Sequence, residues 1–221
     1  MSKRFWSAAG NVALFGFIAL LIFVEVFPEK EPLRMAFSSG SHGQLTWISA
    51  NGPLDAGAAG RFEKFLESEK LSESGYVAVF LNSEEGSVSA AMELGYIIRR
   101  RGFNTGVGKG YRPWFGAPGL KQGRCTSVCL LALLGGVFRY TKGPKDIGLS
   151  FLLSKGNLVG EDNQEPHGDD FNNLQAGMAV RLKNYVAEMG ADSAILSLAP
   201  ESTTRFFSED ELRKFGITNA N

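Results

Sequence analysis

The sequence predicts an α/β fold with a mostly parallel sheet, preceded by one N-terminal transmembrane helix. Three observations carry this. The run Tyr76-Val77-Ala78-Val79-Phe80-Leu81 is continuous, apolar and rich in strand formers, the pattern of a strand covered on both faces. Val88, Ala91, Met92, Gly95 and Ile98 then recur at helical spacing, and a further short strand is expected from Asn104 to Gly108. Finally, Phe5 to Val24 is a stretch of 20 residues without a charge, preceded by Lys3 and Arg4.

The chain has 221 residues, of which 44% are hydrophobic, and its 23 basic side chains balance 23 acidic ones. That length suits one domain of about 180 residues plus an appendage. The charge balance offers no footprint for a polyanion, so nucleic acid is not an expected partner. Two cysteines four apart without a nearby histidine make no zinc site, and neither metal nor cofactor is expected.

Twenty helical residues span about 30 Å, the thickness of a bilayer core. A cleaved signal peptide has a shorter apolar region and ends in an A-x-A-like site. Here the run ends at Glu25-Val26-Phe27-Pro28 with no small-x-small triplet, so a retained anchor is expected. Basic residues before the span place the N-terminus in the cytoplasm and the rest outside, which in a Gram-negative cell is the periplasm. The expected organisation is an anchor over 1–28, a tether over 29–43 that holds a solvated His42, and a domain over 44–221.

Within the domain, Leu45 to Ile48 reads as a short strand followed by the turn Asn51-Gly52-Pro53. Asp55 is a plausible N-cap for a helix to about Lys70, with Phe62, Phe65 and Leu66 on one face. After strand Tyr76–Leu81, a helix from about Ser87 ends in Arg99, Arg100 and Arg101, which complement its dipole, with Gly102 closing it. This βαβαβ order predicts parallel strands with covering helices. The residues after Gly108 read as an irregular loop. Beyond them, strands are expected at Phe138–Tyr140 and Ile147–Leu153. A polar loop over Ser154–Asp170 holds His167. A long helix from about Asn172 to Met189 should bury Leu174, Met178, Leu182, Tyr185 and Met189, and Ser208-x-x-Glu211 is a capping box for a last short helix.

The chemistry concentrates at Gly123-Arg124-Cys125-Thr126-Ser127-Val128-Cys129, which runs into the apolar segment Leu130–Leu134 and stops at Gly135-Gly136. A hydroxyl at a helix start lies beside unpaired N–H groups that favour negative charge, the setting of a nucleophile. The same residues also suit a buried helix with small packing side chains. An oxidising periplasm permits a Cys125–Cys129 disulfide, yet thiols four apart on a regular helix are poorly aimed, and both states stay open.

Two stretches read together carry a resemblance. Asn82-Ser83-x-x-Gly86-x-Val88 follows a buried strand, and about 40 residues later comes Ser127 at a helix start, then Gly-Gly. This resembles the ClpP-like serine peptidases of the ClpP/crotonase superfamily. It looks closest to periplasmic ClpP-like proteins with a C-x-S-x-C nucleophile motif and closing segments like Tyr185–Gly190 and Ser208–Leu212. The resemblance covers about Leu45 to Thr218. It implies a spiral of ββα units, Ser127 as nucleophile, and an oxyanion hole built from the N–H of Val128 and one near Gly86.

The chain departs from that pattern twice. The family's turn Asn-Ser-Pro-Gly-Gly reads Asn82-Ser83-Glu84-Glu85-Gly86 here, and a carboxylate beside the hole opposes a developing oxyanion. The family's general base is a histidine in a Gly-x-His strand, which here is Gly148-Leu149-Ser150. A hydroxyl cannot accept the nucleophile's proton near neutrality. The alternative bases are His167 and, for a Ser–Lys pair, Lys142 or Lys155. The expectation is a catalytically impaired, membrane-anchored domain that binds a peptide or protein partner through its cleft or an oligomer surface. An active serine hydrolase is the alternative, and a crotonase-type acyl-CoA enzyme is disfavoured by the compartment.

Overall fold

A computed structural model describes residues 33–71, 76–113, 117–141, 143–150, 152–158 and 168–220. The apolar run Phe5–Val24, Lys142 and His167 lie outside them. No described helix is long and apolar enough to cross a membrane. The chain divides into residues 1–31 and 32–221, and the second unit is the one described below.

Its centre is a five-stranded sheet in the order β1-β2-β3-β4-β8. The strands are β1 (Ala36–His42), β2 (Leu45–Asn51), β3 (Tyr76–Asn82), β4 (Asn104–Val107) and β8 (Arg139–Tyr140). β1 is antiparallel to β2 and every other neighbouring pair is parallel, with Ile48 beside Val79 and Asn51 beside Asn82. A second, three-stranded sheet has the order β10-β9-β7, from β7 (Cys125–Thr126), β9 (Ile147–Leu149) and β10 (Arg205–Phe206). The hairpin β5 (Lys109–Tyr111) and β6 (Gly119–Lys121) forms a third.

Side chains alternate along a strand, so Ile48, Ala50, Val77, Val79 and Leu81 share one face and enter the core. The helices α1 (Ala58–Ser68), α2 (Val88–Arg100), α3 (Cys129–Leu134) and α4 (Gly168–Glu188) supply the rest of that core, through residues such as Phe62, Leu94, Ile98, Leu131 and Tyr185. Val79, Leu81 and Ile98 are fully buried, as the periodicity predicts. A short α5 (Glu209–Lys214) opens with the expected capping box, in which the Glu211 N–H donates to Ser208 Oγ and the Ser208 N–H to Glu211 Oε2.

Several expectations are corrected. The stretch read as a tether contains β1, because Ala36–His42 pairs with β2 along its whole length; alternating small residues gave it no hydrophobic signature. The 15 residues after Gly108, read as an irregular loop, contain β5 and β6. Asp55 does not cap α1: its carboxylate instead accepts from the Met35 and Gly57 N–H groups and from Arg61. Leu174 is exposed, whereas Phe171, Met178, Leu182, Tyr185 and Val186 of α4 pack on the core.

β3 is not covered equally on both faces. Away from the helices, Ala78 and Phe80 line an apolar groove of about 440 Å³ with Leu45, Tyr76, Val107, Tyr140 and Thr141. Gly135 and Gly136 follow α3 for reasons of space rather than left-handed capping. Gly135 has φ −61°, and a side chain on it would collide with the Gly95 backbone of α2.

Candidate active site

The turns at the C-terminal ends of the strands are joined in a row. The Gly52 N–H donates to the Asn82 carbonyl (3.0 Å), the Ser83 N–H to the Arg124 carbonyl (2.8 Å), and the Thr126 N–H to the Ser83 carbonyl (3.0 Å). Asn82 ties the row together, because its Nδ2 donates to Asn51 Oδ1 and its Oδ1 accepts from the Arg124 N–H. β7 then pairs with β9, with Thr126 opposite Gly148. Ser127, Gly86 and the strand leading to Ser150 are therefore brought to one end of the molecule by backbone hydrogen bonds.

Ser127 sits between β7 and α3 with φ +55°, a left-handed conformation unusual for a residue other than glycine. Its N–H donates to the Gly148 carbonyl (3.1 Å) and its carbonyl accepts from the Leu130 N–H (3.2 Å). Such strain persists where the surroundings over-determine it, and it concentrates at functional sites. The residue is 6% exposed. Among the described residues its hydroxyl has no hydrogen-bond partner, and the oxygen is not sealed from solvent.

Cys125 and Cys129 are disulfide-bonded across this turn. The helical-spacing objection fails because Cys125 belongs to β7 and only Cys129 to α3, and the turn at Ser127 brings their Cα atoms to 5.2 Å. Both are fully buried. The bond thus brackets Ser127 covalently.

Two N–H groups, those of Val128 and Gly86, have no acceptor among the described residues. Gly86 has φ +140°, and a Cβ there would come within 2.5 Å of the Leu54 carbonyl oxygen. Only glycine fits this turn. It is held by parallel bridging to Leu54, with the Leu54 N–H donating to the Glu85 carbonyl and the Ser87 N–H to the Leu54 carbonyl. Glu84 and Glu85 are exposed at the rim. The Glu84 carboxylate is 3.3 Å from the Arg124 guanidinium, which offsets part of its field at the cleft.

Ser150 follows β9 directly and is half-buried. The strand expected to reach Leu153 stops at Leu149. No hydrogen bond links Ser150 to Ser127 among the described residues. His42 is exposed and pairs with Leu45 at the opposite end of β2 from Asn51, six residues or about 20 Å away, which removes it from the cleft. The side chain of Lys155, like Lys142 and His167, lies outside the description. The described residues hold no cluster of three metal-ligating side chains.

Sequence reasoning missed the Asn51–Asn82–Arg124 tie and the Glu84–Arg124 pair. Asn82 and Arg124 stood in the motifs, but nothing in one dimension shows that they meet.

Comparison with known proteins places the fold. No protein-family model and no curated protein matches the chain. ClpP1 from Listeria monocytogenes superposes with TM-score 0.52 at 17% identity, over 80% of this chain and 89% of that one. A mutant of the 1510-N membrane-bound stomatin-specific protease superposes with TM-score 0.51 at 11% identity, over 78% and 75%. Another mutant of that protease, in complex with a substrate peptide, gives 0.50 at 13%, over 78% and 71%. The domain has the ClpP-like fold, an α/β architecture with mixed sheets, and Ser127 stands on its strand-to-helix turn.

Proposed function

We propose that this protein is a membrane-anchored, noncatalytic ClpP-like domain of the periplasm that binds a peptide segment of a partner protein in the cleft beside Ser127. One observation carries the reading: among the described residues the Ser127 hydroxyl has no hydrogen-bond partner, and Ser150 stands where the resemblance places the family's base. The cleft's free N–H groups at Gly86 and Val128 suit a peptide carbonyl as well as an oxyanion, and a structural neighbour has been solved with a substrate peptide. Residues 5–24 supply the anchor, and the basic residues before them the orientation.

A fluorophosphonate probe tests the catalytic half of this reading. Wild type is expected to react no faster than Ser127→Ala. Strong labelling at Ser127 would overturn it and favour an active hydrolase whose base is His167 or a lysine; the strained φ of Ser127 and the free N–H groups support that second reading. A reporter fused after Asn221 is expected to be active in the periplasm, with the full chain in the membrane pellet. A soluble chain lacking residues 5–24 would replace the anchor by a signal peptide.

A further inference from the structure

The two edges of the central sheet are finished differently. At the β8 edge the strand has two residues, and the C-terminal segment closes it. The Arg139 N–H donates to Asn219 Oδ1 (2.8 Å), and Asn219 Nδ2 donates to the Val137 carbonyl (2.9 Å). The β1 edge has seven residues, Ala-Phe-Ser-Ser-Gly-Ser-His, with none of the lysine or proline guards that usually protect an edge. Among the described residues, no backbone group of β1 bonds to anything but β2.

Which groups face outward follows from the hairpin. Gly43-Gln44 is a two-residue turn with Gly43 at φ +60°, and it closes the pair His42–Leu45. Hydrogen-bonded and non-hydrogen-bonded pairs alternate from there, so His42, Gly40, Ser38 and Ala36 bond to β2. Phe37, Ser39 and Ser41 turn their N–H and C=O groups outward. Met35, next in that series, donates its N–H to Asp55 Oδ2, which confirms the phase and marks where the free edge ends.

We infer that β1 pairs antiparallel with β1 of a second copy of this chain, about a two-fold axis at Ser39, to form one continuous ten-stranded sheet. The outward residues are symmetric about Ser39. A dyad there matches Phe37 with the second copy's Ser41, Ser39 with its own equivalent, and Ser41 with Phe37. Each such pair exchanges two hydrogen bonds, so every outward N–H and C=O is satisfied. The side chains agree. Phe37 meets a serine, Ser38 meets Gly40, and Ala36 meets His42, so each larger group stands opposite a small one and no like charges face each other within the strand. A foreign peptide would not require β1 to complement its own reverse. Self-pairing does. The opposing element is Glu69, which accepts from Ser39 Oγ (2.7 Å) and brings one carboxylate per copy toward the axis. Salt should therefore strengthen association rather than weaken it.

Cysteine cross-linking of the full chain in its membrane tests this. The native cysteines are bonded and buried, so one introduced thiol reports alone. In Ser39→Cys, the two Cα atoms stand about 5.5 Å apart in a hydrogen-bonded pair, within disulfide reach. In Ser41→Cys, they are about 14 Å apart, four residues out of step. Ser39→Cys should therefore form a covalent dimer on mild oxidation at least about tenfold faster than Ser41→Cys. Mixing Phe37→Cys with Ser41→Cys chains should cross-link better than either alone, and added salt should leave the Ser39→Cys yield equal or higher. Equal cross-linking at positions 39 and 41, which is what association through an N-terminal helix would give, overturns the proposal. So does the absence of cross-linking at Ser39→Cys, or a yield that falls with salt. None of these outcomes depends on whether Ser127 is catalytic or what its cleft binds.

Discussion

The N–H of Ser127 donates to the carbonyl oxygen of Gly148 at 3.1 Å, so Ser127 and the strand that ends before Ser150 are fixed to each other by backbone alone. A substitution at position 150 therefore tests whether that position reaches the Ser127 hydroxyl.

Restoring an imidazole with Ser150→His should create fluorophosphonate reactivity at Ser127. General-base assistance is typically worth about 10²–10⁴-fold, so the gain is easy to detect. Adding Glu85→Gly should increase it by removing a rim carboxylate. A folded double variant that stays inert would show that position 150 does not address Ser127.

Arg139 is 2% exposed and has no carboxylate partner among the described residues. Its guanidinium donates instead to the carbonyls of Leu134, Gly136, Met189, Gly216 and Ile217, at the C-terminal ends of α3, α4 and α5. Burial and neighbouring Arg99 bring its pKa down to about 10, which leaves it charged at neutral pH. Arg139→Met strands the Gly136, Gly216 and Ile217 carbonyls, while those of Leu134 and Met189 keep Arg99, and should cost about 3 kcal/mol or more in denaturant unfolding. Arg139→Lys should rescue little of this, since a single ammonium cannot reproduce the planar fork.

Asp55 sets an acid limit. Burial pushes its carboxyl pKa up, but hydrogen bonds from Arg61, Met35 and Gly57 and the Arg61 charge outweigh this and hold it below the ordinary value. A carboxylate with a depressed folded-state pKa contributes stability that is present above its unfolded pKa, about 3.9, and is lost as pH falls through the folded value. The stability gap between wild type and Asp55→Asn, measured by urea unfolding, should be full at pH 6 and shrink progressively below about pH 4. A gap independent of pH would mean that the Asp55–Arg61 pair is energetically silent.

The Cys125–Cys129 bond closes a small loop, so its entropic effect on the unfolded chain is modest. The chain-entropy relation gives about 2 kcal/mol for a loop of this size. Cys125→Ala,Cys129→Ala should unfold at a lower temperature than wild type by an amount matching that figure. In the Ser150→His background it should also lose probe reactivity beyond what the stability change explains, if the bond holds the Ser127 turn. Unchanged reactivity would assign the disulfide to stability alone.

The long-period features were legible in one dimension. Val79, Leu81 and Ile98 announced the core by spacing and composition, and the Ser208–Glu211 box announced its helix, because these signals are local. The uncharged run at Phe5–Val24 is equally readable as sequence. The motifs around Asn82 and Ser127 were legible as two separate turns, and the resemblance they carry matches the fold.

Tertiary structure decided the rest. β1 has one large apolar residue, Phe37, among Ala, Ser, Gly and His, and its strand conformation comes from pairing with β2, so no apolar alternation marks it. The disulfide depends on Ser127 adopting a left-handed φ between strand and helix, which sequence spacing cannot reveal. Gly135 looks like a helix stop, but its lack of a side chain serves the approach to Gly95, 40 positions away in the chain. Arg139 has no signal of its own in the sequence, and it is the buried donor that three helix ends share. In each case the deciding contact joins residues distant in sequence, and its energy exists only once the sheet has brought them together.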